Sequence, residues 1–259
     1  VIRNLKELWR FRALIRALVK RHLAMRYRGS ALGFLWSLLN PLCQMAVYSL
    51  VFQYYIRFNG VEHYPIFLLC GLLPWIWFTS ALLEGTNSLV ASGHLITKSM
   101  FPAHILPTVS VLTTLIHFLL ALPLLIIFGL LTGVHFTAAL LFLPVLIGMH
   151  LLFIHGITLA LSALNVHFRD IQHILGNLLS FFFFLCPIVY PVSSVPEKFQ
   201  FTLQLNPLAL YISNYHKVIL DGVLPSYSAM LVMLGLGMIS VLIGNGIFNR
   251  YREGLAEML

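Results

Sequence analysis

Eleven histidines, eight acidic residues and three cysteines are the groups in this chain that could bind a metal, move a proton or attack a substrate. Their spacing supports none of those chemistries. His150 and His155 are five residues apart, which on a helix separates them by about 140°, and His167 and His173 are similarly out of phase, so neither pair offers two imidazoles to one metal. Neutral polar side chains at helix ends or facing a cavity are the simpler reading. Cys43, Cys70 and Cys186 all lie in apolar runs with no C-x-x-C pair, as small core- or lipid-facing hydrophobes do. A G-x-x-x-x-G-K-[ST] loop, a G-x-G-x-x-G turn and an H-E-x-x-H helix are all missing, so the chain is expected not to be an enzyme and to bind no cofactor of its own. Glu84 is the one carboxylate set within a long apolar run. An ionisable group at such a depth is a candidate for a proton relay or a substrate contact. The other runs offer it no relay, which argues against a proton pump and places it near the cytoplasmic mouth or in a dimer interior.

The positive signal is aromatic. Tyr48, Tyr54 and Tyr55, then Trp75, Trp77 and Phe78, then Phe181 to Phe184 with Tyr190, form three dense groups. Tyr and Trp at the ends of membrane helices usually form an interfacial belt, and that reading competes for Trp75, Trp77 and Tyr190. Rings lining an internal conduit would instead offer apolar faces with hydrogen-bonding tips. That combination suits sugars, whose C–H faces stack while their hydroxyls hydrogen-bond, and suits inorganic ions poorly.

Positioning these rings falls to membrane helices. The 259 residues are 59% hydrophobic and 9% charged, with a mean hydropathy of +0.91, against about 45–50% apolar and about 25% charged in soluble domains. Apolar runs at 34–57, 65–91, 105–131, 138–164, 172–192 and 227–248 are each long enough to cross a bilayer, predicting an all-α membrane protein of six spans in a single domain, 1–259. Pro41, Pro74, Pro123 and Pro144 fall inside these runs and predict kinks. Nine of the sixteen Lys and Arg residues precede residue 30, which assigns the N-terminus to the cytoplasm. Six spans then return the C-terminus, with Arg250 and Arg252, to the same side. Thirteen basic residues fall inside, against Arg57, Lys198 and Lys217 outside. The net charge of +8 thus reads as topology and attraction to anionic headgroups, with no nucleic-acid partner.

Residues 2–28 alternate apolar positions (Leu5, Leu8, Trp9, Phe11, Leu14, Ile15, Leu18, Val19) with Arg and Lys at helical spacing, predicting an amphipathic helix in the interface plane; a soluble amphipathic helix docked on a partner is the alternative. No uninterrupted apolar stretch or A-x-A site marks a cleaved signal. Residues 193–226 carry two apolar pieces, Phe199–Leu205 and Leu208–Leu220, split at Asn206-Pro207. Each is too short to span, predicting a re-entrant or surface-lying helical hairpin on the outside.

Six stretches, in this order, carry a family resemblance over nearly the whole chain. They are Arg26 through Trp36 (RYRGSALGFLW) followed by Asn40-Pro41; Gly71-Leu72-Leu73-Pro74-Trp75 with Phe78; Leu95 through Pro102 (LITKSMFP); Asn165 through Asp170 (NVHFRD); Pro187-Ile188-Val189-Tyr190; and Asn206-Pro207. In these the chain resembles the membrane subunits of type-2 ABC exporters of bacterial surface polysaccharides, the O-antigen and teichoic-acid permeases.

The resemblance implies a homodimer in the bacterial inner membrane, both termini cytoplasmic, with two copies of a separate ABC ATPase that binds the ATP and Mg. The cargo implied is a glycan on a polyprenyl diphosphate lipid. It implies a conduit lined by the first and fifth spans, with Tyr48, Tyr54, Tyr55, Trp75, Phe181, Phe184 and Tyr190 along the path. It implies an entrance turn at Arg26, Arg28, Ser30, Leu32 and Gly33, where glycines permit a sharp change of direction and Ser30 can cap the helix that follows. The 92–102 connection resembles the coupling helix that docks on the ATPase, with Leu95, Ile96, Lys98, Met100 and Phe101 as its contacts; Arg169 and Asp170 would join them, although Asp170 also suits capping of the fifth span and pairing with Arg169. The 193–226 hairpin resembles a periplasmic gate marked by Pro196, Asn206 and Pro207. One departure stands out: members of this family often carry an arginine in the second outside helix, where this chain has His216-Lys217. A teichoic-acid or capsule exporter, a type-2 exporter of small hydrophobic or lipo-oligosaccharide cargo, and a membrane enzyme acting on lipid-linked sugars are the competing readings. The last would need paired acidic or histidine residues at one membrane face, and none is found.

Overall fold

The computed structural model describes residues 2–30, 32–57, 61–93 and 102–252, which are helical with no strand among them. The helices are α1 (Ile2–Arg10), α2 (Arg12–Tyr27), α3 (Trp36–Ser49), α4 (Tyr64–Ala91), α5 (Ile105–Leu131), α6 (Leu143–His167), α7 (Ile171–Phe184), α8 (Gln200–Leu205), α9 (Pro207–His216) and α10 (Tyr227–Tyr251). Among the described residues four stretches have the length and apolarity to cross a membrane: α4, α5, Ala138–His167 and α10. They lie close to the apolar runs 65–91, 105–131, 138–164 and 227–248. Pro144 departs from expectation. It sits in the first turn of α6, after a 3₁₀ turn at Ala138–Phe142, where its missing N–H costs nothing.

The other two expected spans differ from their apolar runs. In 34–57 the chain winds as a 3₁₀ turn (Gly33–Leu35), then α3, then a π-helical stretch (Leu50–Tyr55). In 172–192 the helix stops at Phe184, giving fourteen residues, or about 21 Å of rise, against a hydrocarbon core of about 30 Å. Pro187 explains the early stop, because proline disfavours helical geometry in the residue before it.

α4 is the hub. Leu68, Leu69, Leu72 and Leu82 are fully buried, with α5 and α6 packed along its length and α3, α7 and α9 against it. Trp77 stacks on Phe118 of α5 at 4.9 Å between centroids. α6 and α10 meet backbone to backbone. A Cβ on Gly156 would land inside the Ser240 carbonyl, and one on Gly244 would land on the Gly156 carbonyl oxygen. Such small-residue crossings bring membrane helices into close contact.

The N-terminal segment forms two helices rather than one, joined at Phe11. Ile15 and Val19 of α2 pack on Ile105 and Val109 at the start of α5. Trp9 departs from the expected apolar face: it is 72% exposed, with the Arg12 guanidinium 5.1 Å over its ring. Buried Asn4 donates to Asn245 Oδ1 at 2.6 Å, tying α1 to the end of α10. Glu7 and His104 approach to 3.8 Å, an ion pair when the imidazole is protonated. At the opposite end of the bundle α9 is buried among α4, α6 and α10. Tyr211 donates to the Met233 carbonyl at 2.7 Å, and His216 stacks on Phe67 at 4.2 Å with its Nε2 3.0 Å from the Phe67 carbonyl.

Candidate functional site

A groove of about 330 Å³ runs between α3, α4 and α7. Tyr48 of α3 stacks on Phe183 of α7 at 5.3 Å, and Trp75 of α4 meets the same ring edge-on at 5.7 Å. Gln44, Thr79 and Ser180 add polar atoms, and Phe184 forms the lip. The apolar spacing that buries Leu175, Leu179 and Phe183 on one side of α7 turns Phe181 and Phe184 outward, at 69% and 60% exposure. Of the seven expected path residues, three converge on this groove: Tyr48, Trp75 and Phe184. Tyr190 joins them indirectly, donating from its hydroxyl to the Phe184 carbonyl at 2.8 Å. Tyr54 and Tyr55 lie apart on the π-helical stretch, largely exposed. Phe183, the ring that knits the groove together, was indistinguishable from its neighbours in a run of four phenylalanines; only the helical phase of α7 singles it out.

The expected entrance turn begins where α2 ends at Arg28, whose backbone is extended. Gly29 and Gly33 adopt left-handed φ values of 79° and 48°, and Ser30 Oγ accepts from the Gly33 N–H at 3.2 Å, holding the turn that opens into the 3₁₀ start of α3. Leu32 is exposed there. Arg26, one turn back, donates to Glu84 Oε1 at 2.7 Å. The sequence showed no partner for Glu84. The pair joins the N-terminal segment to α4 across 58 residues.

Leu95, Ile96, Lys98, Met100 and Phe101 lie outside the described residues. Arg169 and Asp170 are exposed. Asp170 occupies the N-cap position of α7 in helical geometry with no side-chain capping bond, so the capping expected of it is not made. At the other end Asn206 is the well-connected residue: Nδ2 donates to the Leu185 carbonyl at 3.0 Å while Oδ1 accepts from Leu208 N–H at 3.0 Å, so it caps α9 and ties it to the end of α7. Pro207 follows as the first residue of α9, and Pro196 precedes a short 3₁₀ turn on the exposed surface. Asp221, just beyond α9, has its carboxyl pushed above the usual range by burial, against an opposing pull from Lys217.

Among the described residues no three His, Cys, Asp or Glu converge as a metal site. His150 is buried in mid-helix, stacked on Tyr211 at 4.7 Å and edge-on to Trp77 at 5.0 Å. It packs in the core and not at a helix end.

Long apolar helices define a helical membrane protein. The chain matches the ABC-2 type transporter family over residues 13–220, and it belongs to that family. It is 38% identical, over the full length of both chains, to the O-antigen export system permease protein RfbA of Myxococcus xanthus. It is 31% identical to the Klebsiella pneumoniae protein of the same name, covering 95% of each, and 24% identical to the polysialic acid transport protein KpsM of Escherichia coli, covering 93% of this chain and 94% of that one.

Proposed function

We propose that the chain is the membrane-spanning permease subunit of an ATP-driven exporter that moves a lipid-linked surface polysaccharide, of the O-antigen type, across the bacterial inner membrane. The observation that carries this reading is the end-to-end similarity to an O-antigen export permease, 38% identical with no part of either chain left over. The aromatic groove supports it physically, because stacked rings beside amide and hydroxyl groups match the two-faced chemistry of a sugar.

On this reading α3 with its π-helical extension, and α7 with the residues that follow it, are the first and fifth of six spans. Both termini are cytoplasmic and α1–α2 lie along the inner interface. Two copies face each other across their α3–α7 sides to enclose the conduit. Two copies of a separate ATPase bind ATP and Mg and push on the 92–102 connection and on Arg169-Asp170. The α8–α9 hairpin then acts as a re-entrant gate on the outside. The chain itself performs no chemistry.

Reconstitution of the chain with its ATPase in liposomes containing a polyprenyl diphosphate-linked glycan tests the reading. Glycan crossing and glycan-stimulated ATP hydrolysis are the expected results. An assembly that neither moves the glycan nor responds to it overturns the assignment. Replacing the glycan with polysialic acid on its own lipid distinguishes the capsule-exporter alternative.

A further inference from the structure

A second cavity, of about 290 Å³, lies on the other flank of α3, between the end of α2, the start of α3, and the middles of α4 and α5. Its lining is one-sided in chemistry. It carries one guanidinium, Arg26, and one imidazole, His117, with no carboxylate. Asn40 and Ser80 join them as neutral donors. Asn40 accepts from Gln44 through Oδ1, leaving its Nδ2 group unengaged. Ser80 lines the cavity beside it. The Trp77 ring, stacked on Phe118, adds to the apolar wall, and its Nε1 is shielded from the cavity. Arg26 spends one N–H on Glu84, which fixes the guanidinium, and further donors of its fork remain.

The cavity's depth narrows the ligand. His117 lies twelve residues into α5, roughly 18 Å from its first turn, so the cavity reaches from the Arg26 end of the bundle well into the apolar zone. Ile76 and Phe118 supply its greasy wall. A ligand with only acceptors at one end and hydrocarbon at the other matches both halves. Arginine with neutral N–H and O–H donors is the usual grip on phosphate.

We propose that this cavity binds the phosphate-bearing headgroup of a membrane amphiphile, with Arg26 supplying the charge and Asn40 and Ser80 the neutral hydrogen bonds. Two amphiphiles share that chemistry: an anionic phospholipid of the bilayer, and the polyprenyl diphosphate carrier, whose presence here rests on the export reading above. The site differs from the aromatic groove, since α3 separates the two and they share no lining residue.

Native mass spectrometry of the full chain with its ATPase tests the proposal, using phosphatidylglycerol, polyprenyl diphosphate and phosphate-free diacylglycerol as probes. At least one phosphate-bearing probe should be retained at one per chain, and diacylglycerol should be lost. Asn40→Leu and Ser80→Ala should each cut occupancy about tenfold, the loss of one hydrogen bond to a charged group, and Arg26→Gln at least as much. Equal retention of diacylglycerol overturns the site, as does unchanged occupancy in the Asn40 and Ser80 variants when they melt like the parent. Displacement of phosphatidylglycerol by polyprenyl diphosphate identifies the carrier as occupant, and failure to displace it identifies a resident lipid; either upholds the site. Glycan export without any such binding sinks this proposal and leaves the export reading standing, whereas binding without export does the reverse.

Discussion

Arg26 and Glu84 are the pair that one-dimensional reading could not find, because hydropathy marks a carboxylate in an apolar run and is blind to a cation 58 residues away. Their side chains are 45% and 39% exposed, so solvent screening limits the bond to about 1 kcal/mol or less. Glu84→Gln should therefore lower the melting temperature only slightly, as read by thermal unfolding in detergent, while loosening α2 from α4. His22, four residues before Arg26, reports on the same junction. Burial holds its imidazole below the usual range, Glu84 pulls it partly back up, and Arg21 adds a smaller downward push. Folding thus disfavours the charged form. The unfolded chain takes up its proton first, near the ordinary value of about 6.5, so stability is full above that pH and declines as pH falls through it, levelling off below the folded value. A melting curve against pH should show that decline, and His22→Gln should make it shallower without abolishing it, because other buried histidines contribute with the same sign. At the groove, Tyr48→Ala removes the ring stacked on Phe183 and should reduce glycan export far more than Tyr54→Ala, whose ring lies outside the groove; export in cells or proteoliposomes checks the ratio. The aromatic types were legible in the sequence. Which of them share a groove was not, since that depends on the helical phase of α3, α4 and α7 relative to one another.

Long helices were legible because an apolar run of sufficient length has one solution in a bilayer, a helix that satisfies its own backbone. α4 and α5 begin and end close to their hydropathy limits for that reason, and Ala138–His167 and α10 run only a few residues past theirs. α7 was overestimated because Leu185 to Val189 is as apolar as the helix before it, and only Pro187 betrays the break. The N-terminal segment, expected as one helix, divides at Phe11, where no proline or glycine marks the change. Packing glycines were equally hidden. Gly148 and Gly156 both sit on α6, yet only Gly156 meets another backbone, that of α10. Gly156→Ala should force α6 and α10 apart at a cost of about 1–3 kcal/mol or more, the range for overpacking. Gly148→Ala has open space around its Cβ and should be neutral or mildly stabilising through helix propensity. Thermal unfolding of the two variants side by side checks the contrast, and equal destabilisation would mean that the α6–α10 crossing is looser than the backbone geometry indicates.

On the scale of the molecule, the α3–α7 side carries exposed apolar side chains around the groove. Tyr55 is 72% exposed and Phe181 69%, and Val47, Leu50, Ile174 and Leu178 extend an apolar face around a groove that opens outward. Lipid alone could cover such a face, as it could the exposed Leu131 at the end of α5 and Leu231 and Leu242 of α10. Lipid would not, however, close the groove into a conduit able to keep a hydrated glycan away from hydrocarbon. The proposed homodimer removes that difficulty by setting two grooves against each other, and it makes a directional prediction. In a background with Cys43, Cys70 and Cys186 replaced, Phe181→Cys should give a cross-linked dimer in native membranes under mild oxidation, whereas Leu131→Cys should remain monomeric. Because α7 would have to move if the conduit opens, the Phe181 cross-link should also abolish glycan-stimulated ATP hydrolysis by the assembled exporter, and reduction should restore it. A Phe181 variant that fails to cross-link, or that cross-links with full turnover, would place the dimer contact on another face of the bundle.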